Sequence, residues 1–291
     1  MNRSDRNLQV LPDSPTRVMG ILNITPDSFH DGGRYISPES ALDHLRLLIE
    51  EGADIIDIGG ASSRPGAPVV SPEEEIARIT PVLATAVESG LPVSVDTIHG
   101  KTAAFALERG ASMINDISAF RHDPSLASLT AEHGCTCVLM HMQGTPQTMQ
   151  LAPFYEDVVQ DILEFFKERI DFCLQRGVKE KQIWLDPGFG FGKTVAHNLE
   201  LLRRLEEFQI LGFPLLLGTS NKSTIGAVLD LPSHERMEGT AATLAIGILK
   251  GVHCIRFHDV RAMSLVAQMC DTVLGRTSGH DQANQRRNQS S

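Results

Sequence analysis

Eight short apolar segments punctuate the chain, at residues 18–22, 55–58, 93–95, 113–114, 137–140, 183–185, 215–217 and 254–257. Each is only a few residues long and rich in Val, Ile, Leu, Met or Cys, as a strand buried on both faces requires. Longer stretches with helical periodicity lie between them. In Ala41-Leu42-Asp43-His44-Leu45-Arg46-Leu47-Leu48-Ile49-Glu50, the side chains of Leu42, Leu45 and Ile49 fall on one helical face. Ser71-Pro72-Glu73-Glu74-Glu75 predicts a helix start: a Ser N-cap, Pro at the first helical position, then acids against the helix dipole. Ser37-Pro38-Glu39 repeats that signal. Glycines 52, 90, 110 and 251 stand shortly before a strand, where a helix needs its C-cap.

Eight strands alternating with helices predict one α/β domain, a single (β/α)8 TIM barrel with its active site at the C-terminal ends of the strands. An open doubly wound sheet is the competing arrangement. It would carry G-x-G-x-x-G after the first strand, and no such run is present. No linker or break in composition divides the chain. Residues 1–14 read as an N-terminal arm, 15–277 as the barrel, and 278–291, all Ser, Gly, His, Asp, Gln, Ala, Asn and Arg, as a disordered polar tail.

Composition narrows the function. Thirty-six acids against 26 Lys and Arg give a net charge of −10, which argues against non-specific binding to nucleic acid or to an anionic membrane. An anionic ligand must be held by a few local cations. The five cysteines, at 135, 137, 173, 254 and 270, form no CxxC and read as reduced buried thiols of a cytoplasmic protein. No run approaches the ~18 apolar residues of a membrane span, and the polar start has no signal-peptide core.

The strand ends carry the candidate chemistry. They hold Asn23, Asp57, Asp96, Asn115, Met140-His141, Asp186, Ser220 to Ser223, and Arg256 with His258. Singly, most have a plain structural reading: Asp116 and Asp259 fit helix N-caps, and His141 fits a satisfied structural histidine. Together, Asp96, Asn115, Asp186 and Lys222 should project to one rim. Carboxylates and an amide around one lysine suit a polar heterocycle with N–H and C=O edges. Arg64, Arg256 and His258 form a cationic group suited to phosphate or carboxylate, and Asn23 offers an oxygen to Mg²⁺ shared with a phosphate. Gly-rich loops follow the first strand (Asp31-Gly32-Gly33) and the second (Gly59-Gly60 through Gly66), placed to close over a substrate. Gly188-Phe189-Gly190-Phe191-Gly192-Lys193 lacks the spacing of a P-loop.

From residue 18 to residue 263 the chain resembles the dihydropteroate synthase family. The matching motifs are Met19-Gly20-Ile21-Leu22-Asn23-Ile24-Thr25-Pro26-Asp27-Ser28-Phe29, Asp54-Ile55-Ile56-Asp57-Ile58-Gly59-Gly60, Ser94-Val95-Asp96-Thr97 and Asn115-Asp116-Ile117. Further along come Met140-His141-Met142-Gln143-Gly144-Thr145-Pro146, Asp186-Pro187-Gly188-Phe189-Gly190-Phe191 and Arg256-Phe257-His258-Asp259-Val260. The resemblance implies condensation of 6-hydroxymethyl-7,8-dihydropterin diphosphate with p-aminobenzoate, giving 7,8-dihydropteroate and diphosphate, with Mg²⁺ as cofactor. It implies that Asp96, Asn115, Asp186 and Lys222 hold the pterin, with Asp57, Met140 and Gly218 in the pocket. Asn23 would serve the Mg²⁺–diphosphate, and Arg64, Arg256 and His258 the anion. Ser63, Pro65, Phe191 and Ser220 would form the p-aminobenzoate site. Catalysis would fall to Asp96, Lys222, Arg64, Arg256 and His258, by departure of diphosphate before attack of the aniline nitrogen. The family also implies a homodimer, for which residues 239–249 and 263–274 are apolar enough, although core packing explains them equally.

Two departures from the family stand out. Ser220-Asn221-Lys222 replaces the usual Ser-Arg-Lys, and Ala61-Ser62-Ser63 the common Glu-Ser-Thr. Losing the arginine should weaken p-aminobenzoate binding by ~1–3 kcal/mol if that contact is buried, and much less if exposed. Two other readings compete. One is a methyltransferase holding methyltetrahydrofolate for a corrinoid protein, which has no need of the cationic group. The other is a catalytically silent pterin-binding homologue, for which Asn221 is the main support.

Overall fold

A computed structural model of the protein describes Leu8, residues 14–25 and residues 38–276. The loop after the first strand, the Ser37 helix start, most of the expected N-terminal arm and the whole expected tail lie outside the described residues. Eight strands follow in order: β1 Arg17–Asn23, β2 Ile55–Gly59, β3 Val93–Asp96, β4 Met113–Asp116, β5 Thr136–Met140, β6 Ile183–Asp186, β7 Leu216–Leu217 and β8 Cys254–Phe257. They coincide with the eight apolar segments. All pairings are parallel, in the order β6-β5-β4-β3-β2-β1-β8-β7, and a single bridge between Leu185 and Leu215 closes the ring.

The helices are α1 Pro38–Glu50, α2 Pro72–Glu88, α3 Gly100–Glu108, α4 Ser125–His133, α5 Val158–Gln175, α6 Val195–Arg203, α7 Ser223–Leu229, α8 Met237–Leu249 and α9 Val260–Leu274. The start of α2 is as read from sequence: Ser71 is extended and its side chain accepts from the Glu74 amide at 3.2 Å. The chain leaves α3 through Gly110, at φ +101°, which frees the Ala111 amide to bond back to the Ala106 carbonyl.

Side chains alternate along each strand. The outward set packs on the helices and forms the main core, from Val18 and Ile56 to Leu217 and Phe257. The inward set begins with an apolar layer of Met19, Ile55, Met113, Val138, Trp184, Leu216 and Cys254, on which Leu8 also packs. Two residues further along, the inward positions become Ile21, Asp57, Asn115, Met140, Asp186, Gly218 and Arg256. The period of two thus lifts the chain from a closed apolar floor to a polar mouth in one step. All five cysteines are free, and four of them are buried.

Candidate active site

Register brings the polar positions level. Gly59 of β2 faces Asp96 of β3, Asp96 faces Asn115 of β4, and Met140 of β5 faces Asp186 of β6. Arg256 reaches across this mouth from β8. Its Nε donates to Asp57 Oδ2 at 2.6 Å and an Nη to Asp96 Oδ2 at 2.7 Å. Asn115 Nδ2 donates to the same Asp57 oxygen at 3.2 Å, while Asp57 Oδ1 is buried with no partner among the described residues. The guanidinium is thus held between two interior carboxylates. Arg64 is exposed on the loop after β2, and its positive field reaches Lys222 and His258.

Burial sets the protonation of this ring. Burial pushes Asp96 up to about 7; Arg256 opposes the rise, and Asp57, Glu75 and Asp116 add to it. Asp186 is pushed up to about 6 by burial, against its bond from the Gly188 amide at 2.7 Å and the fields of Lys222, Arg256 and Lys193. Burial and the neighbouring Arg256 lower Lys222 to about 8, with Asp186 and Asp96 pulling the other way. Its ammonium lies 3.9 Å from the centroid of the Phe191 ring, a cation–π contact. His258 is exposed, pairs with Ser220 Oγ at 3.0 Å, and lies below the ordinary imidazole value. Partial burial and the cations Arg256, Lys222 and Arg64 cause that shift, so the ring is neutral near pH 7.

A cavity of about 440 Å³ opens from Asp96 between the loops after β2, β3, β4 and β5, touching Ser63, Ile117 and Met142. Ser63 thus faces the same space as Asp96. Pro65 is exposed on that loop, and Gly218 lies beside the Arg256 backbone. Asn23 ends β1 level with Gly59, where an added Cβ would stand 3.2 Å from the Asn23 Oδ1. Among the described residues no group of three or more His, Cys, Asp or Glu forms a metal cage. One amide oxygen beside a polar mouth fits a magnesium ion that takes its remaining ligands from a phosphate group and water. It does not fit a metal held by the protein alone.

Other strand-end residues resolve into structural parts. Asp116 points outward from β4 and caps the next turn, accepting from Ser118 N, Ser118 Oγ and Phe120 N. Asp259 caps α9 through the Ala262 amide. His141 is buried and paired with Lys193. Two buried groups escaped sequence reasoning. Glu75 looks like an ordinary first-turn acid but accepts from Thr97 and Thr102 at 2.7 and 2.6 Å. Lys193 is fully engaged beneath the Phe191 turn, and the dense glycines before it were the available signal.

Known proteins share this arrangement. Residues 19–258 match the family of pterin binding enzymes. The chain is 48% identical over 266 residues, 91% of each protein, to the dihydropteroate synthase of Bacillus subtilis (strain 168). It superposes on the Yersinia pestis dihydropteroate synthase solved with a sulfonamide drug, with a TM-score of 0.87 and 39% identity over 93% of this chain and 98% of that one. The Xanthomonas albilineans dihydropteroate synthase with 4-aminobenzoic acid gives 0.84 and 40% over 91% and 95%. The match runs from the first strand to the last strand end, through every level of the polar mouth, and the chain belongs to the pterin-binding enzyme family.

Proposed function

We infer that the protein is a dihydropteroate synthase, joining 6-hydroxymethyl-7,8-dihydropterin diphosphate to p-aminobenzoate with loss of diphosphate. The observation that carries this reading is the ring of Asp96, Asn115, Asp186 and Lys222 on the inward side of one barrel mouth, in a chain of this family. Ionised Asp96 and Asp186 accept from the pterin N–H edge, Asn115 supplies an amide, and Lys222 a charged donor to its carbonyl side. Met140 and Gly218 shape the pocket wall, and Arg256 holds Asp57 and Asp96 in place while lending positive charge to the mouth.

The C–O bond to diphosphate breaks with its electron pair leaving on oxygen. The aniline nitrogen then forms the C–N bond to the methylene carbon and gives up a proton. Buried carboxylates favour the cationic pterin between these steps, and Arg64, Arg256 and the neutral donor His258 favour the departing anion. Asn23 would help hold Mg²⁺, which when bound would supply further charge neutralisation to the diphosphate. Ser63, Pro65, Phe191 and Ser220 form the amine site. The barrel would span residues 15–277, with the arm and tail outside it. No helix of the described residues is long and apolar enough to cross a membrane, and a cytoplasmic enzyme is the reading consistent with free buried thiols. Exposed Leu265, Met269 and Val273 of α9, with Ile246 and Leu249 of α8, support a homodimer through these packed helices.

The deciding experiment follows diphosphate release in magnesium buffer, with and without p-aminobenzoate, and again with EDTA. Release that saturates with p-aminobenzoate, yields dihydropteroate and stops with EDTA is expected. Pterin binding with no dihydropteroate at any p-aminobenzoate concentration would refute the synthase.

A further inference from the structure

The turn Gly188-Phe189-Gly190-Phe191-Gly192 contributes one ring to the site, and the lysine behind it has no part in the chemistry above. Lys193 is 3% exposed. Its ammonium reaches Gly188 O at 2.9 Å, His141 Nδ1 at 3.0 Å, Phe191 O at 3.1 Å and His141 O at 3.5 Å. The ammonium form has one proton for each of the three shorter contacts. A methionine would fill this volume without the cost of burying an amine, so the place uses the donors. Burial pushes Lys193 down to about 7, against the pull of Asp186 and with the repulsion of Lys222.

The turn has little room to move. Gly188, at φ +69°, presses on the His141 carbonyl so closely that a Cβ would collide with it. Gly192, at φ +60°, would place a Cβ 2.7 Å from the Gln143 oxygen. Asn198 of α6 completes the brace from the other side. Its Oδ1 accepts from the Gly190 amide at 2.8 Å, and its Nδ2 donates to Thr224 Oγ1 at 3.0 Å, two residues beyond Lys222. The β5 end, the β6 turn and the start of α7 are thereby tied into one unit, which seats the Phe191 ring under the Lys222 ammonium.

We propose that Lys193 is a positioning residue for the amine half of the reaction: it moors the Phe191 turn to the end of β5, fixing the wall of the p-aminobenzoate site. This rests on the assignment of Phe191 to that site under the proposed function. Two readouts on Lys193→Met test it. In the substrate-free protein, hydrogen exchange at the Gly190 and Phe191 amides should quicken at least about tenfold while β1 to β4 stay unchanged. In turnover, half-saturation by p-aminobenzoate should rise at least about tenfold, with kcat and the affinity for a pterin analogue within about threefold. Unchanged exchange with unchanged half-saturation would overturn the proposal. So would a proportionate loss of kcat, pterin affinity and amine affinity, which marks a general structural role. If Lys193→Met does not fold, Asn198→Ala decides: the same split supports the mooring, and an unaltered half-saturation overturns it. If the wild type makes no dihydropteroate, the proposed function fails, while exchange still decides the mooring, faster exchange supporting it and unchanged exchange overturning it.

Discussion

Replacing Arg256 with methionine keeps an apolar stem but removes the cation between two interior carboxylates. The side chain of Asp57 is fully buried, that of Asp96 is 15% exposed and that of Arg256 is 19% exposed. Among the described residues Asp57 Oδ1 already lacks a partner, so only the Asn115 amide would remain on that carboxylate. Removing one member of a buried pair costs about 3–5 kcal/mol, and the partial exposure here points to the lower end. At about 2–4 °C per kcal/mol for a domain of this size, the melting midpoint should fall by roughly 6–12 °C. The pH dependence is the sharper test. Without Arg256, the folded-state pKa of Asp96 rises further above about 7, while its unfolded value stays near 3.8. Through that window the folded chain binds more protons than the unfolded one, so stability falls as pH rises. At pH 5 Asp96 is protonated in both folded proteins, and its share of the mutational cost disappears; by pH 8, about one unit above the wild-type value, that share grows to at most about 1.4 kcal/mol. Urea unfolding of wild type, Arg256→Met and Arg256→Met with Asp57→Asn at both pH values checks this, the second substitution recovering part of the loss. A cost below about 1 kcal/mol at pH 8, or an equal cost at pH 5 and pH 8, would refute this role of Arg256.

Affinity for a pterin analogue should fall as pH drops below about 7, where Asp96 protonates, and more steeply below about 6, where Asp186 follows. Each group contributes up to about tenfold per pH unit; calorimetry from pH 5.5 to 8.5 reads this, and a flat profile contradicts it. Asn221 is exposed and sits in the left-handed region at φ +53°, a conformation asparagine tolerates well. Asn221→Arg should lower p-aminobenzoate half-saturation by no more than about fivefold, the worth of an exposed pair. It should also lose about 1 kcal/mol of stability from the unfavourable backbone. Met269→Glu should convert the proposed homodimer to a monomer in sedimentation analysis, and an unchanged mass would remove α9 from the interface.

The barrel was legible because burial on both faces writes strands as short apolar runs. The site was legible because the inward register turns polar within one step of two residues: Cys254 to Arg256, Trp184 to Asp186, Met113 to Asn115. What escaped depends on distance in space. Nothing near Arg256 in sequence tells that it crosses the mouth to Asp57 and Asp96, 199 and 160 residues earlier. Glu75 carries the pattern of a solvent-facing helix start, and its burial arises only when α2 packs against the β3 loop. Likewise Lys193, after so many glycines, reads as a surface residue until the turn folds over it. The exposure of Asn221 and its left-handed backbone also needed the structure.

The ring of strands is thin in one place. β7 contributes two residues, and a single bridge from Leu215 to Leu185 closes it on β6. A barrel built this way behaves as a split collar whose clasp lies between β6 and β7. Local opening should start there, since the fewest ladder bonds must break. The two lips of that clasp carry Asp186 with Phe191 on one side and Lys222 on the other. A molecule gripped by both lips would pin the clasp, so occupancy of the pocket should slow amide exchange at β6 and β7.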